Sequence, residues 1–435
     1  MDPLTIGLIG VGGLVVLLVL GMPIAFGAIL MGFVGLVALS GWDTAFETVG
    51  FLAHPLAAHY TLSVIPMFII MGYFAYYAGL TRDAFSAANA WVGHLPGGLA
   101  IASVIACALF AASSGSSTAS AAVMGKVTIP EMRRYNYDRG LASGVVAASG
   151  TLASLIPPSA ILVIYAILVE QSVGALLLAG FIPGILSAAI YAIMLLVRAR
   201  LDPKLAPRAS RTPWKQRFKA SRGVWGIILL FLLVIGGIYT GVVTPTEAGA
   251  LGAFGALLIA LFSRRLSWSS FKDSLLETAR STVMIFLIIV GVLIFMRFLA
   301  VSGVSRAFIE FTAGLAVPPW VILAGFLLFY VILGMFMDAI GMLTLTLPMI
   351  YPVVIGLGYS PIWFGVIAVK MCEICLITPP IGLNVYMVKG VAPDIPLEDI
   401  FRGCFYFLAM DILTLAILVA FPQISTFLPS TMAFF

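Results

Sequence analysis

Charge is scarce in this chain. Only 9% of its 435 residues are Asp, Glu, Lys or Arg, where a soluble globular domain carries about 25%. With 62% hydrophobic residues and a mean hydropathy of +1.15, the composition excludes a water-soluble body. Histidine is scarce as well. The three histidines, His54, His59 and His94, fall near predicted membrane interfaces and form no His-Glu-x-x-His pattern, so a zinc hydrolase has no ligand set. A Gly-x-Ser-x-Gly elbow is also missing, and no base stands in evident reach of a serine. An intramembrane enzyme is therefore only a distant alternative. The four cysteines are Cys107, Cys372, Cys375 and Cys404. The Cys372-x-x-Cys375 spacing suggests redox or zinc chemistry, but it sits in an apolar stretch without a second pair. Zinc needs about four ligands, so these cysteines read as packing residues, and no cofactor is expected. A cleavable leader is not expected either: Met1-Asp2-Pro3 lacks a basic segment, and the first apolar run continues past Gly21.

What is present is apolar runs of bilayer-crossing length, about 20 residues, repeated from end to end. They are continuous rather than alternating, which favours helices over a β-barrel. The expected class is an all-α polytopic membrane protein. The net charge of +5 is no nucleic-acid footprint, because nine of the 23 Lys and Arg lie between Arg198 and Arg222. That segment, the one long hydrophilic stretch, reads as a cytoplasmic connector by the positive-inside rule. Contact with anionic membrane lipids is compatible with the same charge.

Two proline pairs interrupt apolar stretches at Pro157-Pro158 and Pro379-Pro380, 222 positions apart. Adjacent prolines remove backbone donors and break the helical ladder, which a span in lipid otherwise keeps intact. Other matches share the order. Pro23-x-x-x-Gly27 answers Pro245-x-x-x-Gly249, Gly79-Leu80-Thr81-Arg82 answers Gly303-Val304-Ser305-Arg306, and Ile129-Pro130 answers Leu347-Pro348. Two copies of one unit are implied. Residues 1–197 form the first, with a hairpin at about 97–130 and a broken helix at about 140–170. Residues 198–222 form the connector, and 223–435 the second copy, with a hairpin at about 318–352 and a broken helix at about 361–392. Each copy counts five spans plus a re-entrant hairpin. An odd span number inverts the second copy, which places both termini outside and the clusters at Arg133, Arg134, Arg264 and Arg265 inside. The segments Arg82–Leu95 and Arg306–Val317 read as interfacial arms, with Trp91 and Trp320 at interfacial depth.

Paired broken helices are the best sequence pointer to a transporter's binding site, and they disfavour a passive channel. The first hairpin tip offers Ser113, Ser114, Gly115, Ser116, Ser117 and Thr118, and the following break offers carbonyls around Ala153, Ser154, Leu155 and Ile156. The second tip offers Gly334, Met337, Asp338 and Gly341, facing Cys375, Leu376, Ile377 and Thr378. Hydroxyls and freed carbonyls suit a small monovalent cation such as Na⁺, while half-helix N-termini suit an anionic group. Close helix packing is the plain alternative for the small tip residues. Asp338 is a carboxylate at membrane depth, and such groups usually carry function. Glu247, in Thr244-Pro245-Thr246-Glu247, reads as part of a capping box. Asn384 either donates to substrate or caps the half-helix. Lys126, Lys370 and Glu373 read as pairing or snorkelling groups.

The stretches SSGSSTASAAVMGKVTIPEM, SGTLASLIPPSAILVIYA, PTEAGALGA and ITPPIGLNVY resemble the large membrane subunit, DctM type, of the tripartite ATP-independent periplasmic (TRAP) transporters. The resemblance spans essentially the whole chain. It implies a Na⁺-coupled importer of organic acids, such as sialic acid or C4-dicarboxylates, in a bacterial inner membrane, working by an elevator movement. It also implies a separate small four-helix membrane subunit and a periplasmic substrate-binding protein as partners. The sodium positions it implies are Ser114, Ser116, Ala153, Ile156 and Pro158, with Gly334, Asp338, Cys375, Thr378 and Pro380 by repeat symmetry. Candidate substrate contacts are Ser113, Gly115, Ser117, Thr118, Ser159 and Asn384. A stand-alone sodium–dicarboxylate symporter of related architecture is the rival reading.

Overall fold

The computed structural model describes residues 1–57 and 60–432, and every regular element among them is a helix. The expectations for His59 and for the side chain of His54 lie outside the described residues. The chain opens with α1 (Pro3–Val19), α2 (Ile24–Ser40), α3 (Trp42–Ala57) and α4 (Val64–Tyr77). A surface arm, α5 (Leu80–Val92), leads into a hairpin of α6 (Gly98–Ser114) and α7 (Ser117–Arg134). Next come α8 (Arg139–Thr151), a tight turn at Leu152–Ser154, the break, α9 (Ala160–Leu168), and the long α10 (Val173–Leu201).

After the connector helix α11 (Trp214–Ser221) the plan repeats. The span α12 (Trp225–Phe231) runs through a π turn into α13 (Gly237–Tyr239), followed by α14 (Pro245–Phe262) and α15 (Trp268–Ser302). The arm α16 (Val304–Ala313) precedes a hairpin of α17 (Pro319–Gly334) and α18 (Ala339–Gly356). The second broken helix is α19 (Pro361–Ile377) with α20 (Leu383–Val391), and α21 (Leu397–Ala420) and α22 (Gln423–Ser430) end the fold. Among the described residues, seven helices are long and apolar enough to cross a bilayer, and four shorter ones are apolar throughout.

The packing is reciprocal between the halves. Helix α2 packs on α15 as α14 packs on α4, α8 on α21 as α19 on α10, and α7 on α20 as α18 on α9. Crossed pairings of this kind follow when two inverted copies close around a pseudo-twofold axis. Matching local chemistry marks the same relation. Gly79 and Gly303 take φ of 79° and 78° at the junction of span and arm, a left-handed conformation that only glycine adopts at little cost. Helix α14 begins with the capping box read from sequence: Thr244 N–H donates to Glu247 Oε2 at 2.8 Å, and Glu247 N–H donates to Thr244 Oγ1 at 3.3 Å.

Three elements escaped the sequence reading. Helix α3 carries Asp43, Glu47 and Pro55, so no continuous apolar run announces it. Its counterpart is the first part of α15, which runs 35 residues without a break. Helix α10 continues to Leu201, past the boundary set at 197, and the connector holds α11. Arg217 lies 4.9 Å from the Trp214 ring and 5.9 Å from that of Trp91, while Trp91 Nε1 donates to Ser221 at 2.8 Å. The connector is thereby fastened to the first arm through cation–π and hydrogen-bond contacts. The tail helix α22 packs along α10. Two partly exposed ion pairs join distant elements. Arg265 reaches Asp83 at 2.9 Å and donates to the Ala78 carbonyl at 3.0 Å. Arg133 pairs with Asp394 and holds that exposed carboxyl below its ordinary range.

Candidate functional site

The first hairpin turns at Gly115 (φ 62°). Its carbonyl accepts from the N–H of Ala160, the first residue after the break, at 3.3 Å. Tip and break are therefore one hydrogen-bonded unit. Ser116 caps α7 by accepting from Ala119 N–H at 3.4 Å, and its hydroxyl lies 3.4 Å from that of Thr118. Ser117 shares a hydrogen bond with Ser154 of the break. Ser159 caps α9 by accepting from Leu162 N–H at 3.3 Å and donates to the Ser154 carbonyl. The prolines deprive the Ala153 and Ser154 carbonyls of their helical donors, and the Ser159 hydroxyl replaces one of them. Ser114 and Ser120 share a 2.6 Å hydrogen bond, while Ser113 donates to Phe110 O at 2.9 Å. The stretch Thr151–Ser159, with Ala153, Ile156 and Pro158, is wholly buried.

The second half solves the same problem with different groups. Asp338 takes the place of Ser116. Its carboxylate caps α18, accepting from Ile340 N–H at 3.2 Å and Gly341 N–H at 3.3 Å. Gly334 lies against the Cys375 side chain, where a Cβ would collide. Cys375 donates to Tyr330 O at 3.4 Å, and Cys372 to Ala339 O at 3.6 Å. Both cysteines are thus packing groups that hold tip to helix, and no metal-ligating cluster exists among the described residues. Thr378 donates to Ile374 O at 2.6 Å. Pro379 and Pro380 are exposed, unlike the first pair. Both pairs contain a cis peptide bond.

One cavity of about 410 Å³ joins the two tips. Ser114, Gly115, Ser116, Ser117 and Thr118 line it from the first tip, and Asp338, Ala339 and Ile340 from the second. Ala160 and Ile161 after the first break and Leu376 and Leu383 around the second complete this side. Of the candidate site positions, Ser113, Ala153, Ile156, Pro158, Ser159, Gly334, Cys375, Thr378 and Pro380 are not among the lining residues. Asn384 lies apart. It is buried, neither caps its helix nor reaches the cavity, and donates to Ala147 O of α8 at 3.0 Å. The opposite wall was not foreseen. It is built by Phe68, Ile69, Gly72, Tyr73, Tyr76 and Tyr77 of α4 with Ser281, Met284, Ile285 and Ile288 of α15. Nothing in a tyrosine-bearing apolar helix distinguishes a cavity wall from a buried face. Lys126 also lines the cavity.

A second polar cluster lies outside the cavity. Lys370 Nζ sits 2.7 Å from Glu373 Oε2 and 2.6 Å from Asp411 Oδ1, donates to Ser187 at 3.2 Å, and all three charged side chains are fully buried. Tyr191 donates to Asp411 Oδ1 at 2.5 Å. Pairing, one of the two sequence readings of Lys370 and Glu373, is what the structure holds. Asp411, 41 residues from Lys370, was not seen as the partner.

Inverted repeats whose hairpin tips and broken helices meet across one cavity define a helical membrane transporter. The match to known proteins is specific. The family model for the tripartite ATP-independent periplasmic transporter, DctM component, covers residues 11–424. The C4-dicarboxylate TRAP transporter large permease protein DctM of Pseudomonas aeruginosa is 37% identical over 374 residues, covering 86% of this chain and 87% of that one. The sialic acid TRAP transporter large permease protein SiaM of Vibrio cholerae is 32% identical, covering 95% and 96%. Among solved structures, the Alcanivorax borkumensis YdaH transporter shares the fold, with a TM-score of 0.62 at 14% identity and coverage of 89% and 90%. The chain belongs to the DctM family of TRAP transporter large permeases. It is a multi-pass bacterial inner-membrane permease and not an enzyme.

Proposed function

We propose that this permease imports organic acids coupled to Na⁺, receiving them from a periplasmic binding protein and working beside a small four-helix membrane subunit. The substrate class is that of the relatives, whose names specify C4-dicarboxylate and sialic acid. The observation that carries the reading is the single cavity onto which both hairpin tips converge. The first tip is tied to its break by the Ala160 N–H to Gly115 carbonyl bond and by the Ser117–Ser154 pair, so oxygens from tip and break lie side by side there, while the second tip is held to α19 through the Cys372 and Cys375 thiols. Such clusters suit a small hard cation. In the first half, Na⁺ would be held by Ser114 and Ser116 with carbonyls near Ala153, Ile156 and Pro158. In the second, the holders would be Asp338 and Thr378 with backbone near Gly334, Cys375 and Pro380. The N-terminus of α7 faces the same space and favours an anion, whereas that of α18 already holds the Asp338 carboxylate.

The wall of α4 and α15 belongs to reciprocal pairings different from those of the hairpins and broken helices. This division supports an elevator in which hairpins and broken helices move together against the α2–α15 and α4–α14 pairs. Positive-inside counting puts both termini in the periplasm. The test is uptake into proteoliposomes carrying the complete three-part system. Ser116→Ala or Thr378→Val should raise the sodium concentration for half-maximal uptake while the protein still elutes as a folded species. Unchanged sodium dependence in both variants would remove the assignment.

A further inference from the structure

We infer that Lys126 is the residue that recognises the anionic group of the transported acid. The inference rests on the transporter reading above and names the contact that reading leaves open. Lys126 is the only cation among the residues lining the cavity, and its lone acidic counterpart, Asp338, is engaged in capping α18. No ion pair among the described residues uses Lys126, and its side chain is exposed.

Its position on α7 fits the task. Thr118, Ala119, Val123 and Lys126 all line the cavity, a spacing that puts them on one stripe of the helix. Lys126 lies nine residues beyond Ser117, the first residue of α7, or about 13 Å along the axis. Helical side chains lean toward the N-terminus, so the four-carbon stem brings the ammonium back toward the hairpin tip. A carboxylate or sulfonate held there would sit between the tip hydroxyls and the tyrosine-bearing wall. Tyr73, Tyr76, Tyr77 and Ser281 supply neutral polar or aromatic surface, and no second cation. An anion entering this cavity meets one full positive charge from a side chain, and it is that of Lys126. A snorkelling lysine would turn to the membrane surface and contact lipid headgroups instead.

The experiment is sodium-driven uptake of succinate, N-acetylneuraminate and isethionate by the complete system in proteoliposomes, comparing wild type with Lys126→Met, Lys126→Gln and Lys126→Arg. For the acid that wild type concentrates, Lys126→Met and Lys126→Gln should raise KM about 10- to 100-fold, the range of a lost hydrogen bond to a charged group. Lys126→Arg should recover most of the affinity. Sodium half-saturation should stay at the wild-type value in all three. KM within about twofold of wild type in both neutral variants, well inside the tenfold that one such bond represents, with sodium dependence intact, would overturn the role of Lys126 and leave the transporter reading standing. Failure of wild type to concentrate any of the acids under a sodium gradient would count against the transporter reading, and this inference would fall with it.

Discussion

The buried cluster at Lys370 makes a prediction with a sign. Two carboxylates and one ammonium share a site with no exposed surface, and Lys370 bridges both at 2.7 and 2.6 Å. Glu373 Oε1 and Asp411 Oδ2 find no partner among the described residues. Lys370→Met removes the only cation and leaves two like charges facing each other inside the membrane. Removing one partner of a buried ion pair costs about 3–5 kcal/mol. Glu373→Gln does the opposite: it leaves one cation against one anion, and the amide oxygen still accepts from Lys370. Its cost should be about 1 kcal/mol or less, since one hydrogen bond to a charged group becomes a neutral-acceptor one. The assay is thermal unfolding of the purified protein in detergent, followed by tryptophan fluorescence. Lys370→Met should melt well below wild type and Glu373→Gln close to it. The reasoning fails if Lys370→Met melts like wild type, or if Glu373→Gln is the more damaging change.

Further outcomes follow from other contacts. Gly72 of α4 faces the first hairpin tip, and a Cβ there would come within 2.9 Å of Ser114 Cα. Gly72→Leu should therefore abolish uptake while leaving expression and monodispersity intact, as measured by transport and size-exclusion chromatography. Gly115→Ala puts a side chain at φ 62° and 2.7 Å from Pro158 O, so it should lower the melting temperature and impair uptake together. Thr244→Ala breaks the α14 capping box and should cost about 1 kcal/mol in the same melting assay. Trp91→Ala unfastens the connector from the first arm, and limited proteolysis should then cut between residues 202 and 213 faster than in wild type.

Much of this architecture is legible because membrane chains concentrate information in exceptions. A proline pair in an apolar run, the serine-rich stretch from Ser113 to Thr118 and a lone Asp338 each violate what lipid demands of a span, and each sits at a tip or a break. The capping box at Thr244 was readable because its partners lie three residues apart. What escaped depends on distance in sequence or on the absence of an exception. Asp411 belongs with Lys370 only after α19 and α21 pack together. The tyrosine wall of α4 looks like any apolar helix until the hairpin tips are placed opposite it. Lys126 was visible as a charge, but whether it faced lipid, a partner or a cavity depended on which stripe of α7 the fold turned inward. The bond from Asn384 to the Ala147 carbonyl was not legible either, because its acceptor lies in the other half of the chain.

The central claim is that hairpins and broken helices form one unit that carries the cavity past α4 and α15. Its most direct test is a distance measured by pulsed electron paramagnetic resonance in lipid. Spin labels at Arg134→Cys, on the exposed end of the first hairpin, and Lys272→Cys, at the exposed start of α15, report that movement. The four native cysteines are buried and stay unlabelled under mild conditions. The account predicts that the Arg134–Lys272 distance distribution shifts between sodium-free and sodium- plus substrate-loaded samples, while an Arg264–Lys272 control pair stays fixed. A single unchanging Arg134–Lys272 distance in protein shown to transport would contradict it.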